Sequence, residues 1–69
     1  MPIINIHMLS GRTNEQKRAL VRVVTDAVTS TLMVKEEKVK IIITEMEPTG
    51  YAIAGKLIMD TDSNTTVAK

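Results

Sequence analysis

Hydrophobic residues fill most of the first stretch of the chain, from residue 2 to residue 9. In an extended chain, alternate side chains point to opposite faces. One face would carry Ile4, Ile6 and Met8, and the other would carry Ile3, Asn5, His7 and Leu9. Because both sets are largely apolar, the pattern predicts a strand over residues 2–9 that is covered on both sides. A turn follows at 10–12, where Gly11 permits the backbone to reverse.

A helical period begins after this turn. Thr13 and Gln16 have the spacing of a capping box, in which each side chain binds the backbone N–H of the other residue. Behind them the apolar residues form one stripe at helical spacing: Ala19, Leu20, Val23, Val24, Ala27, Val28 and Leu32. We therefore predict a helix over residues 14–32 that packs through this stripe, with Thr25 away from it. The helix should end near Met33 without a glycine stop.

The second half of the chain begins with another strand pattern. Residues 39–46 are rich in β-branched side chains, residues 47–50 contain Pro and Gly as turns do, and residues 51–56 predict a short C-terminal extended hairpin. Strand, helix and strand in this order predict two parallel strands joined by a right-handed crossover. The predicted fold is an α+β, βαβ protomer over residues 1–60. Residues 61–69 have lost the pattern and are predicted to form a flexible tail.

Composition makes self-association an expectation. The chain has 69 residues, 43% of them hydrophobic, with one aromatic residue and no cysteine. Domains of this size usually need disulfides, a metal or subunit contacts in addition to their core. The lone His7 has no cysteine or second histidine with which to share a metal, so no metal site is predicted. One helix also covers only one face of a two-stranded sheet, and subunits are left to cover the other.

Charge and hydropathy exclude several classes of partner. A formal net charge of +1 gives no long-range attraction to nucleic acid or to a membrane surface. The first apolar run lacks the basic start of a signal peptide, and no stretch approaches the roughly 18 apolar residues of a membrane span. Absent cysteines are compatible with a reducing compartment, so we expect a cytoplasmic protein.

The candidate chemistry begins at Pro2. Proline is small enough for the preceding Met1 normally to be removed, which would leave Pro2 with a free secondary amine. Inside a chain the proline nitrogen belongs to an amide and is not basic. At a free terminus it becomes a base whose pKa is lowered toward neutral by burial and by nearby cations. Pro2 is thus a candidate catalytic base, against the alternative that it merely starts a strand.

Three further residues are candidates for a substrate site, and each has a plainer alternative. Arg12 precedes the predicted helix, where a guanidinium beside free helix N–H groups suits a carboxylate, although a solvated turn arginine is the default. Lys40 is a cation in an Ile-rich strand. It either points into solvent or places positive charge in a cleft between subunits. Tyr51, the only aromatic residue, either packs at a subunit boundary or forms the wall of a pocket.

Taken together, these pieces resemble the 4-oxalocrotonate tautomerase family of very small tautomerases. The likeness covers residues 1–57, nearly the whole chain. The matching segments are Met1-Pro2-Ile3, Leu9-Ser10-Gly11-Arg12-Thr13-Asn14-Glu15-Gln16-Lys17, Ile43-Thr44-Glu45-Met46 and Gly50-Tyr51-Ala52-Ile53-Ala54-Gly55-Lys56. Each piece alone is a weak signal, and their combination is specific.

The resemblance implies a role for each candidate. A processed Pro2 would be the general base, Arg12 would bind a substrate carboxylate, and Leu9, Tyr51 and Ile53 would form an apolar wall. It also implies that sites are shared between neighbouring subunits of a homohexamer, a trimer of dimers with the helices outside. No cofactor and no metal are implied.

The chain departs from the family pattern at Lys40, where the best-known members carry a second arginine. Lysine keeps the charge but lacks the planar fork that holds a carboxylate and an adjacent keto oxygen together. This puts a dicarboxylate substrate in question more than tautomerisation itself. The wall residue Tyr51, in place of phenylalanine, is a milder change.

The implied activity is that of a cofactor-independent isomerase, a tautomerase that interconverts the enol and keto forms of a small 2-hydroxydienoate or 2-oxo acid. Within enzymes, the alternatives are phenylpyruvate-type tautomerisation and dehalogenation of an unsaturated acid. From another class, the alternative is a non-catalytic oligomeric binding module. Retention of Met1 would exclude the enzymes, because Pro2 would then have no basic nitrogen.

Overall fold

The computed structural model describes residues 1–61, which fold as a βαβ unit followed by a hairpin. The elements are β1 (Ile3–Leu9), α1 (Asn14–Leu32), β2 (Lys40–Met46), β3 (Ala52–Ile53) and β4 (Lys56–Leu57), with short 3-10 turns at Glu36–Lys38 and Ile58–Asp60. The predicted fold class is confirmed. Of the predicted tail, all but Thr61 lies outside the described residues. No helix within residues 1–61 has the length and hydropathy needed to cross a membrane.

The two long strands form a parallel pair. Ile3 lies opposite Lys40 at the amino end of this sheet, and Leu9 lies opposite Met46 at the carboxyl end. β3 and β4 form a separate antiparallel pair. Their loop residues Ala54 and Gly55 have φ values of 56° and 81°. Positive φ at both central positions is what a two-residue type I′ hairpin turn requires.

The helix begins at the predicted capping box. The Gln16 backbone N–H donates to Thr13 Oγ1 at 3.0 Å, and the Thr13 N–H donates to Gln16 Oε1 at 2.9 Å. Two of the backbone donors that a helix start leaves without partners are thereby satisfied. The helix spans the residues that the sequence pattern predicted.

The helix ends at a left-handed residue that is not glycine. Met33 caps α1 with φ 58° and ψ 48°, and its side chain is 83% exposed. For an L-residue this conformation brings Cβ close to the following carbonyl oxygen, which costs roughly 1–2 kcal/mol. The sequence prediction of an end near Met33 without a glycine stop is confirmed, and the strain is its consequence.

We expect Met33→Gly to stabilise the folded protein by about 1 kcal/mol, because glycine adopts the left-handed conformation without the Cβ clash. The midpoint of thermal unfolding at matched protein concentration measures the change. Leu32→Gly is the matched control. Leu32 is the last helical residue, so its replacement should destabilise by about 1 kcal/mol. A loss of stability in both variants would show that Met33 supplies packing that outweighs its strain.

The predicted packing stripe of α1 was partly wrong. The residues that are at least half-buried are Lys17, Leu20, Val21, Val24, Thr25, Val28 and Thr29. Val23, which the stripe included, is 64% exposed, and Ala19 and Ala27 are exposed as well. The apolar residues of α1 cover more of its circumference than one sheet can bury. The hydrophobic periodicity therefore identified the apolar arc of α1, but it did not identify which half of that arc faces β1 and β2.

The outer face of the sheet, opposite α1, is open in a single chain. Ile3 and Ile42 are 55% and 50% exposed there, whereas Ile4 and Ile6 on the helix side are half-buried. Among residues 1–61 only Ile58 is buried, and it is still 8% exposed. A protomer with so little closed core is expected to gain most of its apolar burial from other subunits.

Candidate active site

Pro2 lies at the amino end of the sheet. Its carbonyl oxygen accepts the backbone N–H of Lys40 at 3.0 Å, so the first residue of β2 holds Pro2 in line with β1. Pro2 is half-buried, and the preceding Met1 is 76% exposed. This arrangement leaves Met1 accessible for removal while the proline itself is fixed to the sheet.

Lys40 shares this end of the sheet with Pro2. Its side chain belongs to the outer face, where Ile3 is its neighbour in register. The Lys40 Nζ donates to the backbone carbonyl of Glu37 at 3.2 Å. The structure therefore brings the candidate base and one candidate cation to the same amino end of the sheet. The ammonium of Lys40 is held there by a backbone acceptor from the turn that precedes β2.

Leu9 and Arg12 lie at the opposite end. The N–H of Ser10 continues the ladder by donating to the Met46 carbonyl at 2.8 Å. The chain then turns through Gly11, whose φ of 118° is open to glycine but strained for other residues. Arg12 follows as an exposed residue just before the helix. Within residues 1–61 its side chain forms no ion pair or hydrogen bond, which leaves the guanidinium available to an anion.

Tyr51 and Ile53 lie in the segment after β2. The Tyr51 carbonyl accepts the N–H of Ile58 at 2.9 Å, and the Pro48 carbonyl accepts that of Met59 at 3.2 Å, so the hairpin folds back on the turn that precedes it. Both candidates are exposed in the single chain, Tyr51 by 40% and Ile53 by 55%. These two side chains could line a pocket only if another surface covered them.

The candidates therefore fall into two groups within one protomer. β1 separates Pro2 from Arg12, and six steps of about 3.3 Å along its residues amount to roughly 20 Å. A small acid cannot contact both residues of the same chain across that distance. Pro2 and Lys40 are brought together, and Leu9 is near Arg12, but one chain alone does not join the two groups.

A surface depression of about 320 Å³ lies elsewhere and contains none of the six candidates. It is lined by Asn14, Lys17, Arg18, Val21 and Ile43. Its cations are already paired, since Lys17 Nζ lies 2.6 Å from Glu45 Oε2 and Arg18 lies 3.8 Å from Glu15. This depression is therefore a poor place for a substrate carboxylate. No cluster of three potential metal ligands occurs in the described part of the chain.

Sequence reasoning missed one feature of the site, which is the contact between Lys40 and the turn at Glu36–Lys38. The acceptor is the backbone carbonyl of Glu37, and every residue offers such a group. The only sequence signal for this contact is the run of charged residues at 35–38, and such a run is more simply interpreted as a solvated connector.

Comparison with known proteins decides the family. A family model described as tautomerase enzyme matches residues 2–61. The chain belongs to the tautomerase family. This tautomerase is 50% identical to the 2-hydroxymuconate tautomerase of Bacillus subtilis over 60 aligned residues. The alignment covers 87% of this chain and 97% of the relative. The predicted family and the isomerase class are confirmed.

Solved structures of the family share the fold of this tautomerase. A homologue of 4-oxalocrotonate tautomerase superposes with a TM-score of 0.85 at 48% identity, over 88% of this chain and 100% of that one. A heterohexameric 4-oxalocrotonate tautomerase from Chloroflexus aurantiacus gives a TM-score of 0.84 at 32% identity, over 90% and 100%. Both confirm the βαβ architecture with its C-terminal hairpin.

Proposed function

We propose that this tautomerase interconverts the enol and keto forms of a small 2-hydroxydienoate or 2-oxo acid, with Pro2 as general base after removal of Met1. The observation that carries the proposal is the position of Pro2. It is half-buried and hydrogen-bonded to β2 at the sheet edge, beside Lys40 and behind an exposed Met1. The family match also begins at Pro2. The absence of cysteine fits a cytoplasmic setting.

The chemistry requires one group that takes a proton and returns it elsewhere. The Pro2 amine would accept the proton of the enol hydroxyl, and the electron pair would move through the conjugated system to a carbon that then receives the proton. A base works best when its pKa lies near the working pH. A prolyl secondary amine is more basic than ordinary α-amino groups, whose pKa values are about 7.7–8.0, so the proposal relies on partial burial and the Lys40 cation to favour the neutral amine. Cations at the site also stabilise negative charge that develops on the substrate oxygen.

The proposed site is completed by another copy of the chain. Pro2 and Arg12 are separated by the length of β1, whereas the outer face around Ile3 and Ile42 is bare and apolar. Covering that face with neighbours would remove exposed apolar surface and would bring one chain's Arg12 toward another chain's Pro2. We propose a homohexamer built as a trimer of dimers, and the heterohexameric relative supports an assembly of that size.

Arg12 supplies the test of substrate binding. Arg12→Ala should lower kcat/KM for a carboxylate substrate by about 10- to 100-fold, because a charged hydrogen bond contributes roughly 1.5–3 kcal/mol. Since Arg12 is exposed and unpaired within residues 1–61, the unfolding midpoint should not move.

Two controls accompany this measurement. Arg12→Lys keeps the charge without the fork and should lose less activity. Arg18→Ala removes an exposed arginine six residues further along the chain and should have no effect, since its only ion pair within residues 1–61 is the one to Glu15. An unchanged kcat/KM in Arg12→Ala would show that Arg12 is a solvated surface residue.

A further inference from the structure

The ammonium of Lys40 is fixed by the turn in front of β2. Lysine is a point charge on a flexible stem, so its position depends on what holds the ammonium. Lys40 is exposed, and within residues 1–61 its Nζ has one hydrogen-bond acceptor, the Glu37 carbonyl at 3.2 Å. Its backbone N–H is already bonded to Pro2. The place of this cation relative to the sheet edge therefore depends on where the Glu37 carbonyl lies.

The turn that carries this carbonyl has little to hold it in place by itself. Its backbone is closed by Lys38 N–H to Lys35 O at 2.9 Å and by Val39 N–H to Glu36 O at 3.1 Å. No side chain caps it, and none of its residues is buried. A three-residue 3-10 turn of this kind has poor hydrogen-bond geometry and is easily displaced.

One ion pair ties the turn to the helix. Arg22 Nη2 donates to Glu36 Oε1 at 2.7 Å and to Asp26 Oδ1 at 2.8 Å. The hydrogen bond to Glu36, followed by that to Asp26, raises the pKa of Arg22 above its ordinary value. Asp26 lies one turn along the same helix, so it orients the guanidinium toward Glu36. The bridge therefore spans from the middle of α1 to the residue next to Glu37.

We propose that Arg22 and Glu36 are positioning residues of the active site. Their bridge holds the turn at Glu36–Lys38, and the Glu37 carbonyl of that turn sets the ammonium of Lys40 for the substrate oxygens. The inference rests on the proposed function, because Lys40 matters only if it meets substrate. An arginine at position 40 would bring its own rigid fork, whereas a lysine needs an outside tether to act from a fixed place.

The chain offers a matched pair of variants for the test. Glu36→Gln removes the partner of Arg22 in the bridge. Glu47→Gln removes an equal charge from an exposed residue outside the turn, whose side chain forms no bond within residues 1–61. Glu36→Gln should lower kcat/KM for a 2-hydroxydienoate by about twofold to fivefold, the range expected of an exposed ion pair. Glu47→Gln should leave it unchanged.

A double-mutant cycle separates positioning from general stability. In a Lys40→Met background, Glu36→Gln should cause no further loss, because the cation that it positions is gone. An equal loss in both backgrounds would overturn the proposal, and so would equal effects of the Glu36 and Glu47 variants.

A second readout needs no turnover. NMR relaxation of the Lys40 side chain should show an ordered ammonium in the parent chain and in Glu47→Gln. In Glu36→Gln it should be as mobile as Lys35, whose side chain has no hydrogen bond within residues 1–61. A Lys40 that stays equally ordered in Glu36→Gln would disprove the tether even in an active enzyme. A parent chain with an ordered Lys40 but no tautomerase activity would disprove the proposed function instead.

Discussion

A chain in which Pro2 remains in amide linkage should lose its tautomerase activity by about 10²- to 10⁴-fold, the usual contribution of a positioned general base. An amide nitrogen has no available lone pair, so the base would be absent while the rest of the site stayed intact. Pro2 precedes β1 and bonds to Lys40 through its carbonyl, which an N-terminal addition does not touch. The loss should therefore be chemical rather than structural.

The same purified protein can serve as its own control. It would be made with a short N-terminal extension that a protease removes to expose Pro2, and kcat/KM would be measured before and after cleavage. Sedimentation must show the same assembly in both forms. After cleavage, kcat/KM should rise with pH until the Pro2 amine is neutral, because only the neutral amine accepts a proton. Full activity with the extension in place would rule out Pro2 as the base.

Much of the fold is encoded locally and could be predicted. The capping box at Thr13 and Gln16 fixed the helix start, and the predicted bounds of α1 agree with the structure. The strands agree to within one residue at their first positions, since the predicted starts at 2 and 39 became 3 and 40. Caps and strand runs depend on neighbours in sequence, which is why a single sequence is enough to place them.

The orientation of the helix was less accessible. Val23 was predicted to face the sheet and is exposed, whereas Thr25 was predicted to lie away from it and is half-buried. Polar Lys17 also packs on that side because Glu45 of β2 meets its ammonium at 2.6 Å. A helix with apolar residues on two sides has no preferred side in a periodicity plot. The choice depends on partners distant in sequence or in another subunit.

The candidate site shows the same limit at a larger scale. Each of its residues could be named from the sequence and the family resemblance. The distances between these residues could not be predicted in that way. The register of β1 and β2 places Lys40 beside Ile3, next to Pro2, and leaves Arg12 at the far end. The sequence thus names the candidate residues, and the separation seen in one protomer is the reason for our proposal that the site takes them from different copies.

That division predicts complementation between two defective chains. One variant keeps the N-terminal extension and so lacks the Pro2 base, and the other is Arg12→Ala with a free Pro2. Each alone should be impaired at every site. If the site takes Pro2 from one copy and Arg12 from another, dissociating an equal mixture and reassembling it should create intact sites at random, and about a quarter of all sites should then be intact.

The measurement is kcat/KM of the reassembled mixture, with sedimentation confirming that the assemblies re-formed. It should reach about a quarter of the parent value, whereas the same two variants mixed without dissociation should give at most about 5%, half the activity left in Arg12→Ala. A control mixture of Arg12→Ala with an extended chain that also carries Arg12→Ala supplies no intact arginine and should show no gain. If both residues acted within one protomer, reassembly would create no complete site and the activity would stay at the unmixed level. Since β1 keeps Pro2 and Arg12 of one chain roughly 20 Å apart, we expect the gain.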